Sequence, residues 1–411
     1  MTARAIVVFQ TTTTPGHLSQ SIAGVPLLLR LLLCAQRAGI GEIVLLGAQR
    51  YASEIQQILA HDPRLLIRLL WLEDRPWSTL LRADPDLEKQ WWDSDLWVLP
   101  AGGVIDVRLL RDAVERAVIQ RIAVIEPGLE ALPRRDAAFC RVSGARLQAL
   151  LDSSGETTLS SLLAGLPQQH DIEVISNHGL VCAPVVEETN RRAVERGLFR
   201  GFDDTSDGWV DRYLNRRVSP WFSRWFLRQP LTPNHVTLIA LAIGLFSAFC
   251  FAHGSWLSGV LGALFLQWSA VIDCCDGEIA RLKFRESTSG YYLDIACDNI
   301  VHVAVFVGIA WASYQEVGQS SALLLGGLAA FGTVISFIVV LATRHGRPRM
   351  AAATLDRLID ALTNRDFSLI LVVSAVSGTL HWFLWALAIG VNLFWPLALG
   401  LTWRAQRTAH G

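Results

Sequence analysis

Acidic residues at two fixed spacings are the feature of this 411-residue chain that could do chemistry. Asp273 and Asp276 are three residues apart and Asp294 and Asp298 are four apart, so each pair lies on one helix face. Both pairs adjoin strongly apolar segments, where two like charges ~4 Å apart repel by about 4 kcal/mol even at an effective dielectric of ~20. A divalent cation removes that repulsion, because carboxylate oxygens are its preferred ligands. The spacing therefore predicts that two helices present four carboxylates to one Mg²⁺ or Mn²⁺ ion.

These carboxylates belong to a longer pattern of fixed residues at fixed gaps. The pattern is D-x2-D-G-x2-A-R-x8-G-x3-D-x3-D, and every fixed position is met between Asp273 and Asp298. Acids that only cap helices near a membrane would not also require two glycines, an alanine and an arginine at set positions. In this signature the chain resembles the CDP-alcohol phosphotransferases (CDP-alcohol phosphatidyltransferases) of membrane lipid synthesis.

The resemblance implies a reaction and a set of site residues. An acceptor hydroxyl would attack the phosphorus that joins CDP to its alcohol, and CMP would leave. The implied catalytic base is Asp298, and the implied metal ligands are Asp273, Asp276, Asp294 and Asp298. The residues expected to bind the CDP moiety, including a candidate phosphate donor in the x8 stretch, are Asn234, Thr237, Asp273, Gly277, Ala280, Arg281, Ser287 and Gly290.

Apolar runs long enough to cross a bilayer are confined to the second half of the chain. A helix of roughly 20 residues spans the ~30 Å hydrocarbon core. Such runs lie near 234–253, 255–275, 291–313, 319–342 and 382–403, with a shorter one at 367–380. We therefore expect an α-helical integral membrane domain of six transmembrane helices over 231–411.

Basic residues predict the orientation of that domain. The expected 276–290 loop holds three of them, and five arginines lie between 344 and 365 on the same face. The opposite connections near 253–256 and 314–319 carry no Lys or Arg, and cationic loops favour the cytoplasm. Met1–Gln10 lacks the pattern of a signal peptide. We expect the acidic motif and both termini in the cytoplasm, at the cell's inner (plasma) membrane.

Residues 1–196 alternate short apolar strands with helices. The expected strands are Ala5–Phe9, Glu42–Leu46, Leu66–Leu72, Leu96–Leu99, Arg121–Glu126 and Ile172–Ile175. The expected helices are Pro26–Ala38, Tyr51–Ala60, Val107–Ala117 and Ala145–Leu151. Such alternation is typical of a soluble α/β domain with a largely parallel sheet.

Within this half, Ala23–Gly47 resembles the second strand-helix unit of sugar-phosphate nucleotidyltransferases. That family opens with a Gly-rich phosphate-binding loop, whereas residues 10–16 here are Q-T-T-T-T-P-G. The family's Lys before Pro is Val25 in this chain. We therefore expect a nucleotidyltransferase-like (Rossmann-like) domain that has lost its chemistry.

The expected metal-binding Asp of that family is also missing. Pro100–Gly103 follows the strand where it should stand, and Asp106 is displaced. Asp93 and Asp95, at the other end of the strand, are interpreted as part of a solvated turn.

Residues 205–230 interleave aromatic and arginine side chains. The composition predicts an amphipathic helix in the membrane interface, with rings at headgroup depth and guanidinium groups near anionic phosphate. The segment D-G-W-V-D-R-Y-L-N-R-R-V-S, followed by L-T-P-N-H-V-T, also resembles the start of the first membrane helix in the inositol-phosphate-transferring branch of the family. The two-part arrangement is similar to that of the di-inositol-phosphate-phosphate synthases.

The charge balance limits the partners. A formal net charge of −1 argues against nucleic acid, which calls for a basic patch. The expected partners are a CDP-alcohol donor, a hydroxyl acceptor, the lipid bilayer and, from the resemblance, a second copy in a homodimer. Arginines around the mouth of the site exceed what anchoring needs, so we expect an acceptor that carries its own phosphate. The candidates to bind it are Arg216, Arg217, Arg344, Arg347, Arg349 and Arg365.

Two other functions stay open at this point. The chain could be a bifunctional enzyme whose N-terminal domain is an active cytidylyltransferase, although the missing Lys and Gly-rich loop count against it. It could also be a non-catalytic membrane module or transporter, for which the intact carboxylates would be superfluous. Residue types do not distinguish a lipid CDP-diacylglycerol donor from a soluble CDP-inositol-like donor.

Overall fold

The chain folds as two compact units. The computed structural model describes residues 3–9, 16–60, 62–74, 95–116, 122–126, 139–153, 158–166, 172–185, 188–200, 209–318, 320–344 and 367–410. The first unit comprises Met1–Phe202 and Leu282–Phe284, and the second comprises Asp203–Arg281 and Arg285–Gly411. The domain boundaries expected from the sequence, 1–196, 205–230 and 231–411, stay predictions.

The first unit is built on a mainly parallel sheet. Its strands are β1 (Ala3–Val8), β2 (Ser21–Ile22), β3 (Val25–Pro26), β4 (Ile40–Leu46), β5 (Arg68–Leu72), β6 (Asp95–Pro100), β7 (Gly103–Ile105), β8 (Ile122–Ile125), β9 (Cys140–Ser143), β10 (Ile172–Ile175) and β11 (Cys182–Pro184). Seven of them form one sheet in the order β10-β8-β9-β6-β1-β4-β5, and only β9 runs antiparallel to its neighbours β6 and β8. The expected α/β class with a largely parallel sheet is confirmed.

Helices pack on this sheet and enclose its core. They are α1 (Leu27–Arg37), α2 (Ala52–Leu59), α3 (Val107–Glu115), α4 (Gly144–Ser153), α5 (Leu159–Gly165) and α6 (Glu188–Arg200). The sequence of α1, L-L-L-R-L-L-L-C-A-Q-R, is apolar on nearly every side, and its first nine residues are buried. The guanidinium of Arg30 tolerates burial because it donates to the carbonyls of Ile22 (2.9 and 3.2 Å) and Leu282 (2.7 Å).

Phe284 completes this core from a distant part of the sequence. Its side chain belongs to the hydrophobic cluster around α1 and is 5% exposed. The guanidinium carbons of Arg30 and Arg37 lie 5.3 and 5.1 Å from its ring centroid, within the range of cation–π attraction. Phe284 is therefore a core residue of the first unit.

The interpretation of Asp95 as part of a solvated turn is wrong. Asp95 begins β6 and accepts from Arg141 of the neighbouring β9, with Nη2 to Oδ2 at 2.5 Å. The Arg141 side chain is only 7% exposed, and a buried guanidinium requires such a partner. Asp93 lies outside the described residues.

The second unit is helical. A single π-helical turn, Asp211–Asn215, leads into α7 (Arg216–Leu227), α8 (Pro233–Ala252), α9 (Trp256–Leu282), α10 (Thr288–Val317), α11 (Ser321–Arg344), α12 (Phe367–Val376) and α13 (Leu380–His410). Among the described residues, five stretches are long and apolar enough to cross a membrane: Pro233–Ala252, Trp256–Leu282, Thr288–Glu316, Ser321–Val339 and Leu380–Gly400. The unit is therefore a multi-pass membrane domain, and the sixth crossing, expected at the ten-residue α12, stays a prediction.

One expected loop is shorter than predicted. The sequence predicts a loop at 276–290, but α9 continues to Leu282 and α10 begins at Thr288. Hydropathy falls at Asp276, yet backbone hydrogen bonding carries the helix on for almost two turns. The first half of the signature is thus helical up to Arg281.

Candidate active site

Two long helices carry the four signature carboxylates. Asp273 and Asp276 lie on α9, and Asp294 and Asp298 lie on α10. The start of α10 is fixed by its N-cap, Ser287, whose Oγ accepts from the backbone N–H of Gly290 at 3.0 Å. The first of its two acids therefore lies two turns inside the helix.

Three of the four carboxylates come together. Asp273, Asp294 and Asp298 each offer an oxygen, and these three oxygens lie within 4.8 Å of one another. Asp273 is buried, and the other two are half-buried. The expected meeting of acids from two helices is present in the fold.

The arrangement fits a divalent cation. Opposite ligand oxygens of one ion lie about twice the ~2.1 Å metal–oxygen distance apart, so small side-chain rotations bring oxygens within 4.8 Å to that separation. Carboxylates alone form a hard oxygen set, which suits Mg²⁺ or Mn²⁺ and not a metal that favours sulfur. Closely grouped carboxylates also need a positive charge to stay ionised together.

Asp276 has a partner on a third helix. The hydroxyl of Thr237 donates to Asp276 Oδ2, and Thr237 is 2% exposed. Thr237 lies in the second turn of α8, whose start is set by the Thr232 N-cap and by Pro233 at its first position. This bond orients a signature carboxylate, and the expected part of Thr237 in CDP binding stays a prediction.

Polar side chains lie close to both signature glycines, and the space is tight at Gly290. A Cβ at Gly290 would lie 3.0 Å from Ser287 Oγ and 3.2 Å from Asn234 Oδ1. A Cβ at Gly277 would lie 3.5 Å from Arg281 Nη2, so the guanidinium of Arg281 folds back over Gly277. The structure thus brings together Asn234, Ser287 and Gly290, and separately Gly277 and Arg281.

The remaining CDP-binding candidate, Ala280, is half-buried on the same stretch of α9.

Glu278, two residues before Ala280, is a buried acid for which the sequence predicts no role. Glu278 occupies a variable position of the signature, so the pattern could not reveal it. An ionisable residue in an apolar helix was the available signal.

The arginines proposed for an acceptor phosphate are only partly described. Arg216 is half-buried, with Nη1 3.7 Å from Glu278 Oε1, and Arg217 is exposed. Arg344 ends α11, and its side chain lies outside the described residues. The other three candidates also lie outside them: Arg347, Arg349 and Arg365.

In the first unit, Asp106 has a structural partner. It is the N-cap of α3, accepts from Arg108 N at 2.9 Å and forms an ion pair with the Arg108 side chain. Val25, at the place of the family's Lys, is buried in β3. The Q-T-T-T-T-P stretch lies outside the described residues.

Comparison with known proteins places the helical half in a family. The model of the family described as CDP-alcohol phosphatidyltransferase matches residues 230–391. The phosphatidylinositol phosphate synthase of Mycolicibacterium smegmatis is 30% identical over 177 residues, which cover 40% of this chain and 73% of that protein. The chain belongs to the CDP-alcohol phosphatidyltransferase family. The carboxylate cluster of α9 and α10 lies inside the matched region of this family member.

Two further similarities concern another curated relative and a solved structure. The bifunctional IPC transferase and DIPP synthase of Thermococcus kodakarensis is 35% identical over 126 residues, which cover 31% of this chain. That match spans only 27% of the relative's own length. Among solved structures, the inositol-1-phosphate CTP transferase from T. maritima matches 50% of this chain and 98% of its own, with a TM-score of 0.32 and 10% identity.

Proposed function

We propose that this protein is an integral-membrane CDP-alcohol phosphotransferase of phospholipid or related biosynthesis. It transfers a phosphoalcohol, of the phosphatidyl or inositol-phosphate type, from a CDP-linked donor to an acceptor hydroxyl and releases CMP. The observation that carries the proposal is the meeting of the Asp273, Asp294 and Asp298 oxygens within 4.8 Å, in a chain of this family.

The donor's charged part is bound by the first turns of α8, the last turns of α9 and the start of α10. Arg281 offers a planar guanidinium fork that matches phosphate oxygens. Gly277 and Ala280, with little or no side chain, leave room for the cytidine, and Asn234 lies over Gly290 on the same site. Asp273, Asp294 and Asp298 would hold a divalent cation, which supplies charge neutralisation at the donor's diphosphate.

Asp298 acts as the general base. Its carboxylate takes the proton of the acceptor hydroxyl, the acceptor oxygen forms a bond to the phosphorus attached to the donor alcohol, and the bond from that phosphorus to CMP breaks. Thr237 keeps Asp276 in one orientation by donating to its Oδ2. Both helices are fixed by backbone hydrogen bonds, so the acids hold their positions during the transfer.

The acceptor carries its own phosphate, and the site faces the cytoplasm. Arg217 is exposed beside the membrane domain, where a guanidinium can bind phosphate bidentately. The three basic residues at 281, 283 and 285 support a cytoplasmic location for this end of α9, because cationic loops favour the cytoplasm.

The first unit is a nucleotidyltransferase-like domain without activity of its own. Pro100 and the following residues occupy the place of a metal-binding acid, and Asp106 is engaged as a helix cap. This assignment opposes the alternative of a second, cytidylyltransferase activity in the first unit; the name of the Thermococcus kodakarensis relative describes that protein as bifunctional.

The test is a transfer assay on the purified full-length protein. CDP-diacylglycerol and CDP-inositol are each incubated with Mg²⁺ and a panel of alcohols with and without phosphate, and CMP release is measured. We expect CMP to appear only when donor and acceptor are both present. If no donor–acceptor pair yields CMP above the protein-free control, the proposal fails.

A further inference from the structure

A buried acid stands beside the signature residues without belonging to the signature. Glu278 follows Gly277 on α9 and is 1% exposed. Among the described residues it is the most deeply buried acid, and a buried charge persists only where hydrogen bonds and partner charges compensate for lost hydration.

The partners of Glu278 come from α7. Ser219 Oγ donates to Oε1 at 2.5 Å and Ser223 Oγ donates to Oε2 at 2.6 Å, and both serines are fully buried. Arg216 Nη1 lies 3.7 Å from Oε1. These three residues stand three and four positions apart, so α7 presents them on one face. Both carboxylate oxygens are thereby fixed.

Apolar contacts already join the two helices without this acid. Phe226 of α7 packs in one cluster with Ile272, Cys275 and Ile279 of α9. Replacing a buried ionic group with well-packed apolar residues often leaves stability unchanged or raises it, so adhesion between the helices does not require Glu278. Its directional hydrogen bonds instead select one rotation of α9.

That rotation matters for the carboxylates on the other side of α9. Each residue turns an α-helix by about 100°, so Glu278 points about 140° away from Asp273 and about 160° away from Asp276. The face that bonds to α7 is therefore nearly opposite the face that bears the metal ligand. Any turn of α9 about its axis moves Asp273 relative to Asp294 and Asp298 on α10.

We infer that Glu278 is a positioning residue: through Ser219 and Ser223 it fixes the rotation of α9, and so the placement of Asp273 in the carboxylate cluster. The expected change in turnover rests on the proposed function, whereas the expected change in Mn²⁺ binding does not require the transfer reaction. Glu278 acts through Asp273 and does not contact substrate. A misplacement of ~1 Å at a reacting group lowers turnover by about a hundredfold, so loosening this contact has a measurable effect.

The test uses full-length protein with Ser219→Ala and Ser223→Ala combined, and with Glu278→Gln. The double serine variant removes both donors, and we expect at least tenfold weaker Mn²⁺ binding and at least tenfold lower kcat, with donor KM little changed. In Glu278→Gln the amide still bonds to both hydroxyls, one as acceptor and one as donor, so Mn²⁺ affinity and kcat stay within threefold of the parent. The matched control is Ser247→Ala, which removes a buried bond between α8 and α9, Ser247 Oγ to Gly262 O at 2.7 Å.

Each result bears on the inference separately from the proposed function. Mn²⁺ binding, followed by electron paramagnetic resonance, reports on the cluster even if no donor yields CMP. The inference is overturned if the folded double serine variant binds Mn²⁺ as the parent does. It is also overturned if Glu278→Gln loses as much as the double serine variant, because the charge and not the hydrogen bonding would then be responsible, or if Ser247→Ala shows the same loss.

Discussion

At the residue scale, polar side chains lie against the backbone of both signature glycines. Gly290 leaves room for Ser287 Oγ and Asn234 Oδ1, and Gly277 lies under the guanidinium of Arg281. Each glycine thus admits a polar side chain close to the backbone of a membrane helix. Asn234, Ser287 and Arg281 are exposed, so their polar groups are available to the charged donor that we propose for this site.

Gly290→Ala should weaken donor binding. The new Cβ would lie 3.2 Å from Asn234 Oδ1, so the amide must shift by a few tenths of an ångström from its place. We expect the donor KM to rise about tenfold, equivalent to ~1.4 kcal/mol. The control is Gly327→Ala on α11, where a Cβ meets no heavy atom within 4 Å. Equal donor KM values for the two variants would contradict the proposed role of Asn234.

Arg217→Ala tests the phosphate on the acceptor. Losing one charge-assisted hydrogen bond costs roughly 1.5 to 3 kcal/mol, which corresponds to about a ten- to hundredfold rise in acceptor KM with donor KM little changed. Steady-state kinetics with phosphorylated and unphosphorylated forms of the same alcohol measure the effect. The exposed Arg228, at the other end of α7, provides the matched control Arg228→Ala. Equal use of both alcohols by the parent would contradict the phosphate-acceptor proposal.

At the element scale, hydrophobic periodicity predicted most helices and strands within a few residues. Leu27–Arg37, Ile172–Ile175 and the five long apolar helices are examples, because burial leaves an uninterrupted or periodic apolar signal. The short strands β2, β3, β7, β9 and β11 were not predicted; in β9, for example, C-R-V-S is too short for a pattern, and its pairing depends on β6, about 40 residues earlier. The spacing of the signature acids predicted that acids from two helices meet, although the cluster contains Asp273, Asp294 and Asp298 and not Asp276.

The contacts that orient those acids were not predictable. Thr237 meets Asp276 across 39 residues of sequence, and Ser219 meets Glu278 across 59. Such pairs depend on how α7, α8 and α9 pack, and a single sequence holds no record of that packing. A motif thus gives the reacting groups, and the fold gives the groups that hold them.

Phe284→Ala should destabilise the first unit. The ring is 5% exposed in the core around α1, and truncating a buried Phe costs about 3–5 kcal/mol. Amide hydrogen exchange in the full-length protein measures this loss of stability, because the backbone amides of β1 and β4 exchange faster when the unit is destabilised. Leu66→Ala, at a position 83% exposed, should change the exchange free energy by less than about 0.5 kcal/mol. Unchanged protection of β1 in Phe284→Ala would contradict the assignment of Phe284 to this core.

At the scale of the whole molecule, an α/β unit and a membrane unit share one chain, and chemistry is proposed for the second alone. In the first unit, Asp106 caps α3 and pairs with Arg108, and Asp95 pairs with Arg141. Both acids therefore have structural roles that account for their presence. The second unit instead groups three carboxylates within 4.8 Å of one another, an arrangement that a divalent cation stabilises because it offsets their mutual repulsion.

The full-length protein should release no pyrophosphate from CTP. We expect none with Mg²⁺ and any polyol or sugar phosphate, because the first unit offers no acid for metal at the end of β6. A coupled pyrophosphatase assay makes the measurement. Pyrophosphate release that disappears in Asp106→Ala would establish the bifunctional alternative instead.

The central claim is that the carboxylates of α9 and α10 hold a divalent cation and carry out CDP-alcohol transfer. The most direct measurement compares the parent with Asp294→Asn for Mn²⁺ binding and for CMP release from the preferred donor. Asn keeps the size of the side chain but removes the ligand's charge, and the lost stabilisation of several kcal/mol lowers turnover at least about a hundredfold. The control Asp112→Asn, an exposed acid of the first unit, should leave both quantities unchanged. We predict that Asp294→Asn loses Mn²⁺ binding and CMP release together; turnover within tenfold of the parent, or unaltered Mn²⁺ affinity, would contradict the account.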